Sequence, residues 1–178
     1  MGRSASHVAL ECALQTQPNV CLISEEVAAK EMSLSQITDY IADSVAARAA
    51  KGMNFGVAII PEGVVEFVPE FSVLIHEINE LLAGSKADAF NALPTWADKY
   101  AFIEAGLTKE SMSVFALLPQ TIQQQLFLER DPHGNVQVSL IESEKLFSAL
   151  VAENLKARKA AGTYAGKFSA LHHFLGYE

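Results

Sequence analysis

The sequence predicts an α/β protein: a doubly wound, mostly parallel sheet with helices on both faces and an all-helical insertion. Strand and helix patterns alternate through residues 1–84, which is typical of such a sheet. The apolar run 55–60 lacks polar alternation, as parallel strands covered on both faces do. Residues 85–129 carry helical patterns without a convincing strand, and this predicts the insertion.

A helix and a short strand are expected first. Ser4 or Ser6 can cap a helix through residues 8–14, because a serine hydroxyl accepts from the free N–H groups of a first helical turn. Residues 21–23 form a short apolar strand, and the polar residues 24–26 close it.

The next helix carries the strongest local signals. Ser33 and Gln36 match a capping box, and apolar residues recur on one face of the helix that follows. Gly52 lies where a C-terminal cap belongs, so this helix has a predicted start and a predicted end. The apolar strand 55–60 comes next.

Further helices are then predicted before and after residue 85, where the insertion begins. One follows Pro61-Glu62-Gly63, carries an apolar face from Phe71 onward and ends near Gly84. Three more are expected in the insertion, with starts marked by Trp96, Thr108 and Pro119.

The last part of the chain is expected to return to the sheet. Residues 131–134 match a turn, 136–140 alternate like a strand, and a long helix begins at Ser143 and ends at Gly162. Residues 168–177 are expected to form a strand. The predicted organisation is one discontinuous lobe, 1–84 and 130–178, interrupted by the helical insertion 85–129.

Composition narrows the class of protein. Hydrophobic residues make up 50% and charged residues 19%, which favours a folded globular chain. The net charge of −8, with scattered Lys and Arg, argues against nucleic-acid binding. No apolar stretch approaches the roughly 20 residues of a membrane span. Cys12 and Cys21 are expected to be reduced and buried, as in a cytoplasmic protein.

Two short motifs are candidates for ligand contacts. Gly2-Arg3-Ser4 precedes a helix, where N–H groups and a guanidinium favour an anion; an ordinary helix entry is the alternative. Pro61-Glu62-Gly63 follows a strand, where a carboxylate can accept from sugar hydroxyls; a capped turn is the alternative. The histidines lack ligand spacing, so no metal site is expected from them.

Several stretches in order carry a resemblance to a known family. The sequence closely resembles the pyrophosphate-dependent phosphofructokinases of the long subfamily, over nearly its full length and least across the insertion. The stretches that carry the resemblance are residues 1–19, 56–63, 128–138, 164–168 and 173–178.

The resemblance implies reversible phosphorylation of fructose 6-phosphate at its 1-position by pyrophosphate, with Mg²⁺. The family's sugar-phosphate contacts fall on Met1, Gly2, Arg3, Glu62, Tyr177 and Glu178. The Gly-rich diphosphate site, its Mg²⁺-binding Asp and the Thr-Ile-Asp-Gly-Asp segment with the catalytic base are not in this sequence. We therefore expect no catalytic or metal-binding residue here, an inactive isolated chain, and a larger parent enzyme that is a cytoplasmic homo-oligomer.

Two alternatives remain open from the sequence. One is a non-catalytic regulatory subunit that binds sugar phosphate, and the other is a phosphofructokinase that uses ATP. The phosphoryl-donor pocket and the base segment would separate these alternatives, and the resemblance puts both ahead of Met1.

Arg3 is the first residue to test. In a complete enzyme that carries this sequence, Arg3→Ala should cut turnover strongly, because a guanidinium can hold a phosphate by two hydrogen bonds. Steady-state kinetics with fructose 6-phosphate checks this, and near-normal kinetics would rule the assignment out.

Overall fold

The computed structural model describes residues 6–128, 130, 135–137 and 141–171. In this part of the chain the structure is mostly helical, with a small parallel sheet. The elements in chain order are α1 (His7–Thr16), β1 (Val20–Cys21), α2 (Ser24–Ala29), α3 (Leu34–Ala50), β2 (Ala58–Ile59), a 3₁₀ turn (Val64–Phe67), α4 (Pro69–Leu81), α5 (Ser85–Asn91), α6 (Trp96–Gly106), α7 (Lys109–Leu117), α8 (Gln120–Leu128) and α9 (Ser143–Ala160).

The chain divides into two compact units. One, the discontinuous unit, contains residues 1–69 and 142–178, and the other, the helical unit, contains residues 70–141. The domain borders drawn from the sequence, at residues 84 and 129, concern the complete protein and stay a prediction.

A two-stranded parallel sheet organises the discontinuous unit. Val20 pairs with Ala58 and Cys21 with Ile59. Parallel strands need a crossover connection, and α2 with α3 provides it here. The predicted parallel pairing is confirmed for these two strands, whereas a doubly wound sheet is not seen among the described residues.

The second strand is shorter and less covered than the sequence predicted. Phe55 is 78% exposed and Val57 is 62% exposed, so the expectation that residues 55–60 are covered on both faces is wrong. Polar contacts hold the run instead. The Arg48 guanidinium donates to the Phe55 carbonyl oxygen, and the Asn19 side-chain oxygen accepts from Val57 N–H at 2.9 Å.

Near β1 the structure corrects two more expectations. The strand ends at Cys21, and Ser24 begins α2, so residues 24–26 are a first helical turn and not the close of a strand. Helix α1 buries none of its residues, and Cys12 on it is therefore exposed, while Cys21 is half-buried. Cys12 was expected to be buried, and that expectation is wrong.

The caps of α3 and α9 agree with the sequence. The Ser33 hydroxyl accepts from Gln36 N–H at 3.1 Å, and the Gln36 side chain accepts from Ser33 N–H at 2.9 Å, which confirms the capping box. Gly52 and Gly162 have φ of 76° and 75° just past the two helices. Glycine adopts this left-handed conformation without steric cost, so both helices end there.

Helices α3 and α9 pack against one another through apolar and charged contacts. Arg158 donates to Asp43 at 2.5 Å and to Asp39 at 3.0 Å, and Asn154 donates to Asp39 at 2.9 Å. Hydrogen bonding to Asp43 raises the pKa of Arg158, so the guanidinium stays charged. Nearer the start of α9, the side chains of Leu146 and Phe147 are fully buried.

The helical unit has an aromatic core of its own. Phe90 and Phe115 are fully buried, and each lies 5.5 Å from the ring of Phe127. The predicted helices are present, and the Thr108 hydroxyl accepts from Ser111 N–H at 3.3 Å as its cap. The Glu77 carboxylate in turn accepts from Thr108.

Some predicted elements lie wholly or partly outside the described residues. The turn at 131–134 is one of them, and so are residues 138–140 of the strand expected at 136–140. Val136 forms an isolated antiparallel bridge with Arg130. The strand expected at 168–177 is not formed at 168–171, and the rest of it is not described.

Among the described residues, none of the helices combines the length and the apolar character that crossing a bilayer requires.

We predict that Arg158→Met lowers the unfolding free energy by about 1 kcal/mol, because two carboxylates on α3 lose their shared partner. The value is modest since the Asp43 side chain is 69% exposed and solvent screens the pair. Urea unfolding measures this change. Lys156→Met is the control, because Lys156 forms an exposed ion pair with Glu153 on its own helix; an equal effect of the two substitutions would contradict the assignment.

Candidate functional site

One of the six predicted substrate-binding residues lies in the described part of the chain. This residue is Glu62, which follows β2. Met1, Gly2 and Arg3 lie outside the described residues at one end, and Tyr177 and Glu178 lie outside them at the other. Their proximity to Glu62 therefore stays a prediction, and the candidate site is built from Glu62 outward.

The backbone at Glu62 is held by a distant part of the chain. The Ser143 hydroxyl, at the first residue of α9, donates to the Glu62 carbonyl oxygen at 2.5 Å. Ser143 is fully buried and Glu62 is half-buried. The main chain of Glu62 is thus held in place, while the residue as a whole stays partly accessible to solvent.

The turn after Glu62 is also fixed locally. Val64 N–H donates to the Pro61 carbonyl oxygen at 3.2 Å, and Glu66 N–H donates to the Gly63 carbonyl oxygen at 3.1 Å. Val64 is fully buried, which anchors the 3₁₀ turn to the core. Gly63 has φ of −86°, a value open to any residue, so the turn itself does not require glycine.

Parallel pairing brings the segments after both strands to one edge of the sheet. Leu22 N–H donates to the Ile59 carbonyl oxygen at 3.0 Å, which extends the pairing beyond the two strands. Helix α2, which follows β1, packs against the 3₁₀ turn that follows β2. In parallel sheets this carboxyl edge is where ligand-contacting loops lie.

The start of α1 is tied to the same edge by a reciprocal pair of hydrogen bonds. Ser6 N–H donates to the Glu25 side chain at 3.0 Å, and the Ser6 hydroxyl accepts from Ser24 N–H at 2.7 Å. Each helix start thereby satisfies a backbone donor of the other.

Charge and polarity at this edge are shaped by the same contacts. The Ser6 N–H holds the pKa of the Glu25 carboxyl below its ordinary value, since a hydrogen bond to the ionised form favours it. The Ser24 hydroxyl is buried and lacks a hydrogen-bond partner among the described residues. A buried polar group of this kind has capacity for one more contact at the edge.

Sequence reasoning found Glu62 but missed Ser143, Ser6 and Glu25 as parts of the site. Ser143 was recognised only as a helix start, because its partner lies 81 residues away. The bonds of Ser6 span 18 and 19 residues, which no local pattern encodes.

The described residues contain no group of three or more His, Cys, Asp or Glu side chains that could hold a metal ion. The Mg²⁺ that the resemblance implies therefore has no fitting ligand set in this part of the chain.

Comparison with known proteins supplies the family context. No protein-family model matches the chain. A Treponema pallidum protein named pyrophosphate–fructose 6-phosphate 1-phosphotransferase is 52% identical over all 178 residues, which is 31% of its own length. The chain is 51% identical to the beta 1 subunit of the Arabidopsis thaliana protein of that name, covering 30% of it. It is 42% identical to the alpha subunit from Solanum tuberosum, covering 27%.

The similarity extends over the whole chain, and the chain spans about a third of the length of the curated relatives it matches. It thus corresponds to one segment of these phosphotransferases. The resemblance read from the sequence is confirmed at this level.

The contact between Ser6 and Glu25 predicts a dependence of stability on pH. Because the folded pKa of Glu25 is lowered, its stabilising effect is complete above the ordinary value of 4.5 and is lost as the pH falls through the folded pKa. Glu25→Gln should therefore be less stable than the parent chain at pH 7, and the difference should shrink toward pH 3.

Urea unfolding at several pH values measures that difference. Glu26→Gln is the matched control, because Glu26 pairs with Lys30 on the exposed face of the same helix. A Glu25→Gln effect of the same size at both ends of the pH range would contradict the prediction.

Proposed function

We propose that this chain is the fructose-6-phosphate-binding lobe of a pyrophosphate-dependent phosphotransferase that phosphorylates the sugar phosphate at its 1-position. The observation that carries the proposal is the 52% identity along the whole chain to a protein of that name. The position of Glu62, at the carboxyl edge of a parallel strand pair, supports it independently.

In the proposed site Glu62 binds the sugar part of fructose 6-phosphate. Its carboxylate accepts hydrogen bonds from fructose hydroxyls, and such charge-assisted bonds are stronger than neutral ones. Arg3, with Met1 and Gly2 beside it, holds the phosphate group. Tyr177 and Glu178 complete the acceptor pocket, as the resemblance implies.

We further propose that β1 and β2 belong to a larger, doubly wound sheet in the complete protein. Their parallel pairing supports this, because all-parallel sheets occur almost only in α/β proteins. The exposed side chains of Phe55 and Val57 are consistent with a sheet that continues beyond the described residues.

The proposed lobe performs the acceptor half of the reaction. Phosphoryl transfer depends mainly on positioning and on charge stabilisation around the moving group. The residues of this chain would bind and orient the sugar phosphate, while the base, the pyrophosphate site and the Mg²⁺ ligands would come from the rest of the complete protein. We propose as well that the complete protein is a homo-oligomer and is located in the cytoplasm.

A regulatory, non-catalytic subunit is the second candidate. The observation that favours it is the match to the alpha subunit of the Solanum tuberosum protein at 42% identity. The higher identity, 52%, to the Treponema pallidum protein, which carries the name of the phosphotransferase itself, supports the catalytic alternative. The presence or absence of an Asp-bearing base segment in the complete protein would separate the two.

A chimeric enzyme tests the proposal directly. This chain replaces the matching segment of the Treponema pallidum protein, and the formation of fructose 1,6-bisphosphate is followed with pyrophosphate or with ATP. We expect turnover with pyrophosphate. A chimera that folds but forms no product, or that prefers ATP, would contradict the proposal.

In that chimera Glu62→Gln should raise the KM for fructose 6-phosphate about 10- to 100-fold, because a hydrogen bond to a charged group is worth about 1.5–3 kcal/mol. The KM for pyrophosphate should stay within about twofold, since the donor binds elsewhere. Glu26→Gln is the control, because Glu26 is an exposed carboxylate on α2, the helix that follows β1. An unchanged sugar-phosphate KM for Glu62→Gln would remove Glu62 from the site.

A further inference from the structure

We infer that Ser143 is a positioning residue that holds Glu62 in its sugar-binding position, an inference that rests on the function proposed above. In this role Ser143 does not contact the substrate but acts through the main chain of Glu62.

The geometry at Ser143 is specific. Its hydroxyl donates to the Glu62 carbonyl oxygen at 2.5 Å across 81 residues of sequence, and the serine is fully buried. A buried hydroxyl that loses its hydrogen-bond partner pays the cost of its desolvation, which makes this contact costly to break. The bond therefore fixes the main chain at the residue whose carboxylate is proposed to bind sugar.

The other end of the contact is equally well held. Ser143 is the first residue of an 18-residue helix, and the side chains of Leu146 and Phe147, one turn later, are fully buried. Further along the helix, Arg158 and Asn154 bind Asp39 of α3. Through Ser143, the turn after β2 is thus fixed relative to the packed helices α3 and α9.

Position matters here more than strength. The carbonyl carbon of Glu62 is bonded to the Cα atom that carries its side chain, so a shift of the carbonyl group displaces the carboxylate as well. A displaced carboxylate aligns less well with the sugar hydroxyls, and hydrogen bonds weaken steeply as their geometry departs from the favoured one. Loss of the Ser143 bond should therefore weaken sugar-phosphate binding while pyrophosphate binding is unchanged.

The test uses the same chimeric enzyme with Ser143→Ala and Ser143→Cys. Cysteine keeps the volume of the site nearly unchanged and donates only weakly, so it separates the loss of the bond from the creation of a cavity. Both variants should raise the KM for fructose 6-phosphate about 10-fold, because the hydrogen bond from the sugar to a charged group is weakened, with kcat and the KM for pyrophosphate within about twofold. Ser148→Ala, a half-buried serine on the same helix, is the control.

A double-mutant cycle identifies the route of the effect. If Ser143 acts through Glu62, Ser143→Cys should add less than about twofold to the KM once Glu62 is Gln. An equal added effect in that background, or an unchanged KM in both single variants, would overturn the positioning role. If Glu62→Gln itself leaves the KM unchanged, the role proposed for Glu62 falls, and this inference falls with it.

Discussion

The parallel pairing of β1 with β2 is the constraint on which the discontinuous unit depends. Because both strands run in the same direction, the segments that follow them must emerge at the same edge. Helix α2 and the turn at Glu62 meet there, and the bonds of Ser6 add the start of α1. An antiparallel pair with the same sequence would have sent Glu62 to the opposite edge, away from these helix starts.

Much of the local structure could be predicted from the sequence. The capping box at Ser33 and Gln36 and the glycine after each long helix encode helix ends through contacts only a few residues apart. Apolar periodicity predicted which face of α4 is buried, since one spacing determines both the helix and its buried side. Such signals are local, and the folded protein follows them.

The errors arose where distant contacts decide the outcome. Residues 24–26 were taken for the end of a strand, although Ser24 N–H finds its acceptor in Ser6, 18 residues away. Of the candidate site, the position of Glu62 after a strand could be predicted, but the support from Ser143 could not. The pairing of a helix start with a turn 81 residues earlier is a property of the tertiary fold alone.

The exposed edge near β2 has a practical consequence for handling the protein. Phe55 and Val57 present apolar side chains beside a strand, and such edges promote association between molecules. The net charge of −8 opposes that association by mutual repulsion between chains. Added salt shortens the range of the repulsion and leaves the apolar attraction intact, so colloidal stability in purification buffers should fall as ionic strength rises.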